Sequence, residues 1–127
     1  MQYISTPNAP APLGPYAQAT LYNGLIHVAM QIAVLPDGTH QTELPLPEQA
    51  RQVLENIRQI LLAAGSDSSH CLKVSLFTTD LSFGAAVNQI YEEFFPGPNR
   101  PARTVIEVKA LPLGYKIAAE AVGAVIR

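Results

Sequence analysis

Cysteine occurs only once in this sequence, at Cys71, so the chain cannot form an internal disulfide bond. The first residues, MQYISTPNAPAPLGPY, have neither the basic start nor the apolar run of a secretory signal peptide. Both features are typical of proteins in a reducing compartment. We therefore expect a cytoplasmic protein in which Cys71 is a buried packing residue rather than a nucleophile.

Charged side chains are also scarce. Asp, Glu, Lys and Arg make up 14% of the residues, with 8 basic against 10 acidic residues and a net charge of -2. No Lys/Arg run offers a surface for nucleic acid or anionic membranes, and no stretch approaches the roughly 20 apolar residues that span a bilayer. Hydrophobic residues make up 48% of the chain. This composition predicts one folded domain over residues 1–127, with part of its apolar surface covered by other subunits.

Metal-binding and nucleotide-binding motifs are missing as well. His27, His40 and His70 are far apart in the sequence, and none forms a closely spaced ligand pair. The chain has no Gly-x-Gly-x-x-Gly and no phosphate loop. We therefore expect no metal and no organic cofactor, and His27 is interpreted as a structural histidine in a strand.

Strand signals stand at both ends of the chain. Asn23-Gly24 separates two runs of strand-forming residues and predicts a hairpin between Ala17–Tyr22 and Leu25–Ile32. The proline-rich opening before this hairpin is interpreted as a loop. CLKVSLFTTDL predicts a later strand that directs Leu72, Val74 and Leu76 to one face, and two further strands end the chain.

Two helices lie between these strands. Apolar residues recur at three- and four-residue spacing from Pro47 to Ala64, which predicts an amphipathic helix ending before Gly65. A second helix is predicted from about Ser82 to Phe94. The residues that it is expected to bury are Phe83, Val87, Ile90, Tyr91 and Phe94. The element order predicts an α+β fold, with a mostly antiparallel open sheet and both helices on one face.

A few polar residues stand at unusual places in these elements. Glu120 interrupts the apolar strand IAAEAVGAVI, and a lone carboxylate in such a strand is usually paired, hydrated at a pocket wall, or functional. Arg103 begins a strand, Asn88 lies on the second helix, and Tyr16 follows the prolines of the opening. Spacing alone leaves open whether these residues form a surface ion pair, a hydrated surface or a site.

Four segments of the chain resemble the Rid (YjgF) family of reactive-intermediate deaminases: NAPAPLGPYAQA, VNQIYEEFF, RPARTVIEV and LPLGYKIAAEAVGAV. The resemblance implies a chorismate-mutase-like fold and a homotrimer with ligand clefts between subunits. It implies that Arg103 binds the substrate carboxylate and that Glu120 positions or polarises the attacking water. Tyr16 and Asn88 correspond to pocket residues of the family.

Two positions depart from the family pattern. Ala29-Met30-Gln31 stands where members usually have Ser-Gly-Gln, and Val105 stands where many have cysteine. A methionine and a valine at these positions predict a pocket that is more hydrophobic and differently shaped, with Met30 and Val105 among the substrate-binding residues.

The resemblance implies hydrolysis of 2-imino acids and enamines to 2-keto acids and ammonia, without a cofactor. Two alternatives remain open: a non-catalytic trimer that binds small carboxylates as a sensor, and a deaminase specialised for one pathway intermediate. Ribonuclease activity, which is associated with some members, is not favoured because the chain has no basic patch.

Overall fold

The computed structural model describes residues 1–126 of the chain. Its strands form one sheet in the order β1-β2-β3-β6-β4-β5, which is antiparallel throughout except for the parallel pair β4 and β5. The mostly antiparallel α+β architecture predicted from the sequence is confirmed. The elements are β1 (Gln2–Ile4), β2 (Ala19–Tyr22), β3 (Leu25–Gln31), α1 (Leu46–Ala63), β4 (Cys71–Thr78), α2 (Gly84–Phe94), β5 (Ala102–Glu107) and β6 (Ile117–Ala124).

The predicted hairpin is present between β2 and β3. Asn23 and Gly24 have φ values of 51° and 76°, the positive pair that a tight two-residue turn requires. One part of the prediction was wrong, because the opening is not entirely a loop. Gln2–Ile4 forms β1, which pairs along the outer edge of β2. This edge strand is so short that the prolines after it dominate the local sequence signal.

Helix α1 carries the centre of the hydrophobic core. It begins at Leu46, with a proline in its first turn, and Gly65 follows its end with φ 85°. The apolar residues whose spacing predicted this helix and its end are all buried: Ala50, Val53, Leu54, Ile57, Ile60, Leu61 and Ala64. The helix packs against β3 and β6 and contacts α2.

Two polar residues of α1 are completely buried and tie loops to the core. Asn56 Nδ2 donates to the carbonyl oxygens of Ile32 and Val34 at 3.2 and 3.0 Å. Gln49 Oε1 accepts a hydrogen bond from the Lys116 backbone N–H at 2.9 Å. These side chains satisfy loop groups that would otherwise be buried without partners.

The predicted pattern of α2 needed correction. Phe83 is 42% exposed and Phe94 is only half-buried, whereas Phe95 is 4% exposed. The reason is a short 3₁₀ turn over Leu81–Phe83 that delays the helix until Gly84 and changes the direction of Phe83. Val87, Ile90 and Tyr91 are buried as predicted.

The alternation predicted for β4 was wrong at Leu72. Val74 and Leu76 are buried as predicted, but Leu72 is 48% exposed. The pairing of β4 with β6 shifts register between Cys71 and Lys73, so an irregularity in the strand displaces Leu72 from the expected alternation.

The helices cover one face of the sheet. The opposite face presents His27, Lys73, Ser75 and Glu120, as the open-sheet prediction requires. The resemblance implies that other subunits of a homotrimer cover this face. This cover stays a prediction. Within residues 1–126 no helix is long and apolar enough to cross a bilayer.

Candidate functional site

Arg103 lies on the helix side of the sheet. Its strand, β5, runs parallel to β4 and pairs Arg103 with Val74, which is buried beneath the helices. The guanidinium Nη1 donates to Asn88 Oδ1 of α2 at 2.7 Å. Its central carbon lies 4.8 Å from the centroid of the Tyr91 ring, also in α2. The edge strand and the second helix therefore position this arginine jointly.

The Arg103 guanidinium has hydrogen-bond donors that Asn88 does not use. It carries five N–H groups, of which Asn88 accepts one. In the part of the chain that the structure describes, no carboxylate forms an ion pair with it. Arg103, Asn88 and Val105 border a cavity of about 140 Å³, here called the arginine pocket. The apolar part of its remaining wall consists of Leu76, Leu81, Phe83, Val87 and Ile117, and Thr78, Asp80 and Gly84 complete it. A free cation beside a mostly apolar cavity suits a small organic anion.

Glu120 lies on the opposite face of the sheet. It pairs with Ser75 of β4, whose neighbours along the strand, Val74 and Leu76, point toward the helices. The side chain of Glu120 is exposed and borders a groove with Lys73. Among residues 1–126 no cation forms an ion pair with Glu120. Of the three roles considered for this carboxylate, pairing within the described chain is therefore excluded.

An irregularity in β3 stands directly beside Glu120. Val28 pairs with Ala121 and Gln31 pairs with Ala119, so two residues of β3 oppose the single residue Glu120 of β6. These two residues are Ala29 and Met30, the positions that depart from the family pattern.

Met30 and Tyr16 line a second cavity, of about 520 Å³, here called the bulge cavity. Tyr16 is 50% exposed, and its Oη accepts a hydrogen bond from the Leu13 backbone N–H at 3.2 Å. The other residues of the wall are Leu13, Ala29, Ile32, Pro112 and Leu113. This wall is almost entirely apolar, but Val105 is not part of it, so the single hydrophobic pocket with both Met30 and Val105 stays a prediction.

The six predicted site residues thus fall into two groups within one chain. Arg103, Asn88 and Val105 meet at the arginine pocket. Tyr16 and Met30 meet at the bulge cavity, and Glu120 lies opposite Met30 in the strand register. Arg103 and Glu120 are on opposite faces of the sheet, so one chain by itself does not present both to a single small molecule.

The remaining polar candidates lie apart from one another. His40 Nδ1 contacts Tyr115 Oη at 2.7 Å, and His70 Nδ1 contacts Asp67 Oδ1 at the same distance. His27 lies in β3, as predicted, with an exposed side chain on the sheet face opposite the helices, and its structural role stays a prediction. The described residues contain no group of three side chains suited to hold a metal ion.

Cys71 matches its prediction. It is 6% exposed, and burial raises the pKa of its thiol to about 11. A thiol with such a pKa carries almost no thiolate near neutral pH, as expected of a packing residue.

One residue near Arg103 was missed. The sequence pattern assigned Tyr91 only to the buried face of α2, but its ring lies under the guanidinium. The available signal was its spacing, because Tyr91 follows Asn88 by three residues and therefore lies on the same helix face.

Comparisons with known proteins identify the relatives of the whole chain. The family model described as endoribonuclease L-PSP matches residues 6–125. The chain is 40% identical to the 2-iminobutanoate/2-iminopropanoate deaminase of Rattus norvegicus over 119 residues, which cover 94% of this chain and 86% of that protein. It is 38% identical over 121 residues to Reactive Intermediate Deaminase A, chloroplastic, of Arabidopsis thaliana. That match covers 95% of this chain and 64% of the longer plant protein.

A solved structure extends the likeness to the fold. The crystal structure of E. coli TdcF with bound serine superposes with a TM-score of 0.91 at 32% sequence identity, covering 98% of each chain. The observed sheet order and helix placement are therefore those of a known fold.

Proposed function

The chain belongs to the Rid (YjgF/RutC) family, and from this premise we propose that it is a deaminase that hydrolyses 2-imino acids and their enamine tautomers to 2-keto acids and ammonia. Relatives at about 40% identity are named 2-iminobutanoate/2-iminopropanoate deaminase and reactive intermediate deaminase. The proposed location is the cytoplasm, although one of these relatives is named as chloroplastic.

The observation that carries this proposal is the guanidinium of Arg103, which forms no ion pair within residues 1–126 and lines a mostly apolar cavity. A 2-imino acid presents a planar carboxylate, which the planar guanidinium binds through two parallel hydrogen bonds. Asn88 takes one N–H of the guanidinium and leaves the others for the ligand. The TdcF structure with bound serine supports this choice, because serine also carries an α-carboxylate.

The second part of the proposal is that two copies of the chain complete each site, within a homotrimer. Arg103, Asn88 and Val105 come from one copy, and Glu120, Tyr16 and Met30 come from its neighbour. The support is geometric, because Arg103 and Glu120 of one chain lie on opposite faces of its sheet. The exposed apolar wall of the bulge cavity also favours a second chain as its cover.

The chemistry then follows from the two charged residues. Arg103 holds the carboxylate, so the adjacent imine carbon faces a water molecule beside Glu120. Glu120 accepts a proton as the water oxygen bonds to this carbon, and it returns the proton to the nitrogen. The hydroxyl group of the resulting carbinolamine then gives its proton to Glu120, which passes it to the amino nitrogen. The carbon–oxygen double bond forms as the carbon–nitrogen bond breaks, so the products are a 2-keto acid and ammonia. Every step moves protons and electron pairs only, so the proposal includes no cofactor.

Met30 gives a specific reason to consider a second function. It opposes Glu120 in the register, at the position where the family usually has glycine, so the open approach to the backbone that a glycine gives is missing beside the carboxylate. A carboxylate-binding trimer without turnover is therefore the alternative. A deaminase specialised for a differently shaped imine is a variant of the main proposal. The net charge of -2 gives no support to binding of ribonucleic acid.

The test is ammonia release from 2-iminobutyrate, generated in the assay by a threonine dehydratase. The deaminase proposal predicts faster ammonia release with the wild-type chain, and no acceleration with Arg103→Ala. Binding of 2-oxobutyrate without any acceleration would instead establish the non-catalytic alternative. Equal acceleration by the wild type and Arg103→Ala would show that the site lies elsewhere.

A further inference from the structure

The Arg103 guanidinium is held from two directions by one face of α2. Asn88 and Tyr91 are three residues apart, so their side chains are neighbours on the helix surface. Asn88 Oδ1 accepts a hydrogen bond from Nη1 at 2.7 Å, and the guanidinium carbon lies 4.8 Å over the Tyr91 ring centroid. The amide thus fixes one N–H group, and the ring supports the guanidinium from its face.

The burial of Tyr91 is not explained by a hydrogen bond of its hydroxyl group. The residue is 4% exposed, and its ring centroid lies 4.7 Å from that of Phe95. Among residues 1–126 its Oη is buried without a hydrogen-bond partner. A buried hydroxyl without a partner costs free energy, so the hydroxyl brings no stability in this position.

The aromatic face of Tyr91 is what remains to interact with Arg103. Burial raises the pKa of the Tyr91 hydroxyl to about 12, so the phenol stays neutral and no phenolate forms an ion pair with the arginine. A cation above an aromatic ring is attracted by the negative potential of the ring face. One partner of this contact, the guanidinium, is exposed and the other, the ring, is buried, so the contact lies between the fully exposed and the desolvated cases.

We propose that Tyr91 is a positioning residue for Arg103: its ring holds the guanidinium so that the N–H groups not used by Asn88 face the arginine pocket. This inference rests on the proposed function, because it requires that Arg103 bind the substrate carboxylate. A long side chain that is already ordered loses less conformational freedom when the ligand binds. Tyr91 therefore increases affinity without touching the substrate.

The test compares two substitutions at this position by calorimetric titration with 2-oxobutyrate, the keto-acid product. Tyr91→Leu removes the aromatic face, and its Kd rises roughly two- to thirtyfold, the range that cation–π contacts span. Tyr91→Phe keeps the face and removes the unpartnered hydroxyl. Its Kd stays within about twofold of the wild-type value and its Tm does not fall, because no hydrogen bond is lost.

Phe95→Leu is the matched control. It makes the same kind of truncation four residues further on, at the residue that caps the end of α2, where a buried ring has no described contact to the guanidinium. It lowers Tm as Tyr91→Leu does but leaves the Kd for 2-oxobutyrate nearly unchanged. An equal loss of affinity in Phe95→Leu and Tyr91→Leu would overturn the inference, because the effect would then come from general loosening of α2. A loss in Tyr91→Phe as large as that in Tyr91→Leu would overturn it too.

Arg103→Ala in the same titration separates this inference from the proposed function. If Arg103→Ala abolishes binding and Tyr91→Leu leaves it unchanged, only the positioning role is wrong. If Arg103→Ala binds 2-oxobutyrate like the wild type, the carboxylate site itself is wrong, and the role of Tyr91 is wrong with it.

Discussion

Replacing Arg103 with lysine keeps the positive charge and removes the planar fork. In the structure the guanidinium serves two purposes at once: Nη1 donates to Asn88 Oδ1 at 2.7 Å, and the remaining N–H groups stay available at the arginine pocket. An ammonium group is a compact point charge and does not present two parallel hydrogen bonds to one carboxylate. Arg103→Lys therefore loses at least one of the two bonds proposed for the ligand.

The magnitude follows from that lost bond. A hydrogen bond to a charged group contributes about 1.5 to 3 kcal/mol, which corresponds to roughly a ten- to hundredfold increase in Kd. The change should leave folding almost untouched, because Arg103 is exposed and forms no ion pair within residues 1–126. A surface substitution of this kind shifts the free energy of unfolding by less than about 0.5 kcal/mol.

Calorimetric titration with 2-oxobutyrate measures the effect on binding, and ammonia release from 2-iminobutyrate measures the effect on turnover. Thermal unfolding of the same samples is the control for structure. An unchanged Kd in a folded Arg103→Lys protein would refute the two-bond geometry and remove Arg103 from the binding site.

Three further predictions concern the other candidate residues. Glu120→Gln keeps the size of the side chain but removes the proton acceptor, so it should bind 2-oxobutyrate normally and release almost no ammonia from 2-iminobutyrate; wild-type turnover would show that Glu120 is not the acid/base. Met30→Gly should increase the rate on 2-iminopropionate or 2-iminobutyrate if the side chain blocks the approach to Glu120, at a stability cost of up to about 1 kcal/mol. No gain on either substrate would refute the blocked-approach hypothesis. Cys71 should resist iodoacetamide at neutral pH in the folded protein, because burial raises its pKa to about 11; rapid alkylation, read by mass spectrometry, would contradict this.

The sequence predicted those parts of the fold that depend on residues close to one another along the chain. Asn23-Gly24 predicted the hairpin because a tight two-residue turn needs positive φ at both residues, and Asn and Gly are among the few that adopt it. The spacing of apolar residues in α1 identified its buried face. Gln2–Ile4 escaped prediction because a short exposed edge strand carries almost no pattern of its own. The exposure of Leu72 depends on the register between β4 and β6, which are far apart in the sequence.

The candidate site shows the same limit. The resemblance supplied Arg103 and Glu120, but only the three-dimensional pairing reveals that they lie on opposite faces of the sheet. The proximity of Tyr91 to Arg103 likewise depends on α2 packing over β5, which no local pattern encodes. The exposure of Phe83 has a similar reason, because the 3₁₀ turn capped by Asp80 delays the start of α2 until Gly84.

The site shared between copies is tested most directly by mixing two inactive variants, Arg103→Ala and Glu120→Gln. Each variant supplies the residue that the other lacks, so mixed oligomers contain some sites with both Arg103 and Glu120. After complete subunit exchange, verified by native mass spectrometry, the equimolar mixture should regain about a quarter of the wild-type ammonia release, because each of the two positions in a site is correct in about half of the cases. If exchange is complete and the mixture stays as inactive as its components, Arg103 and Glu120 do not act on one substrate from neighbouring copies.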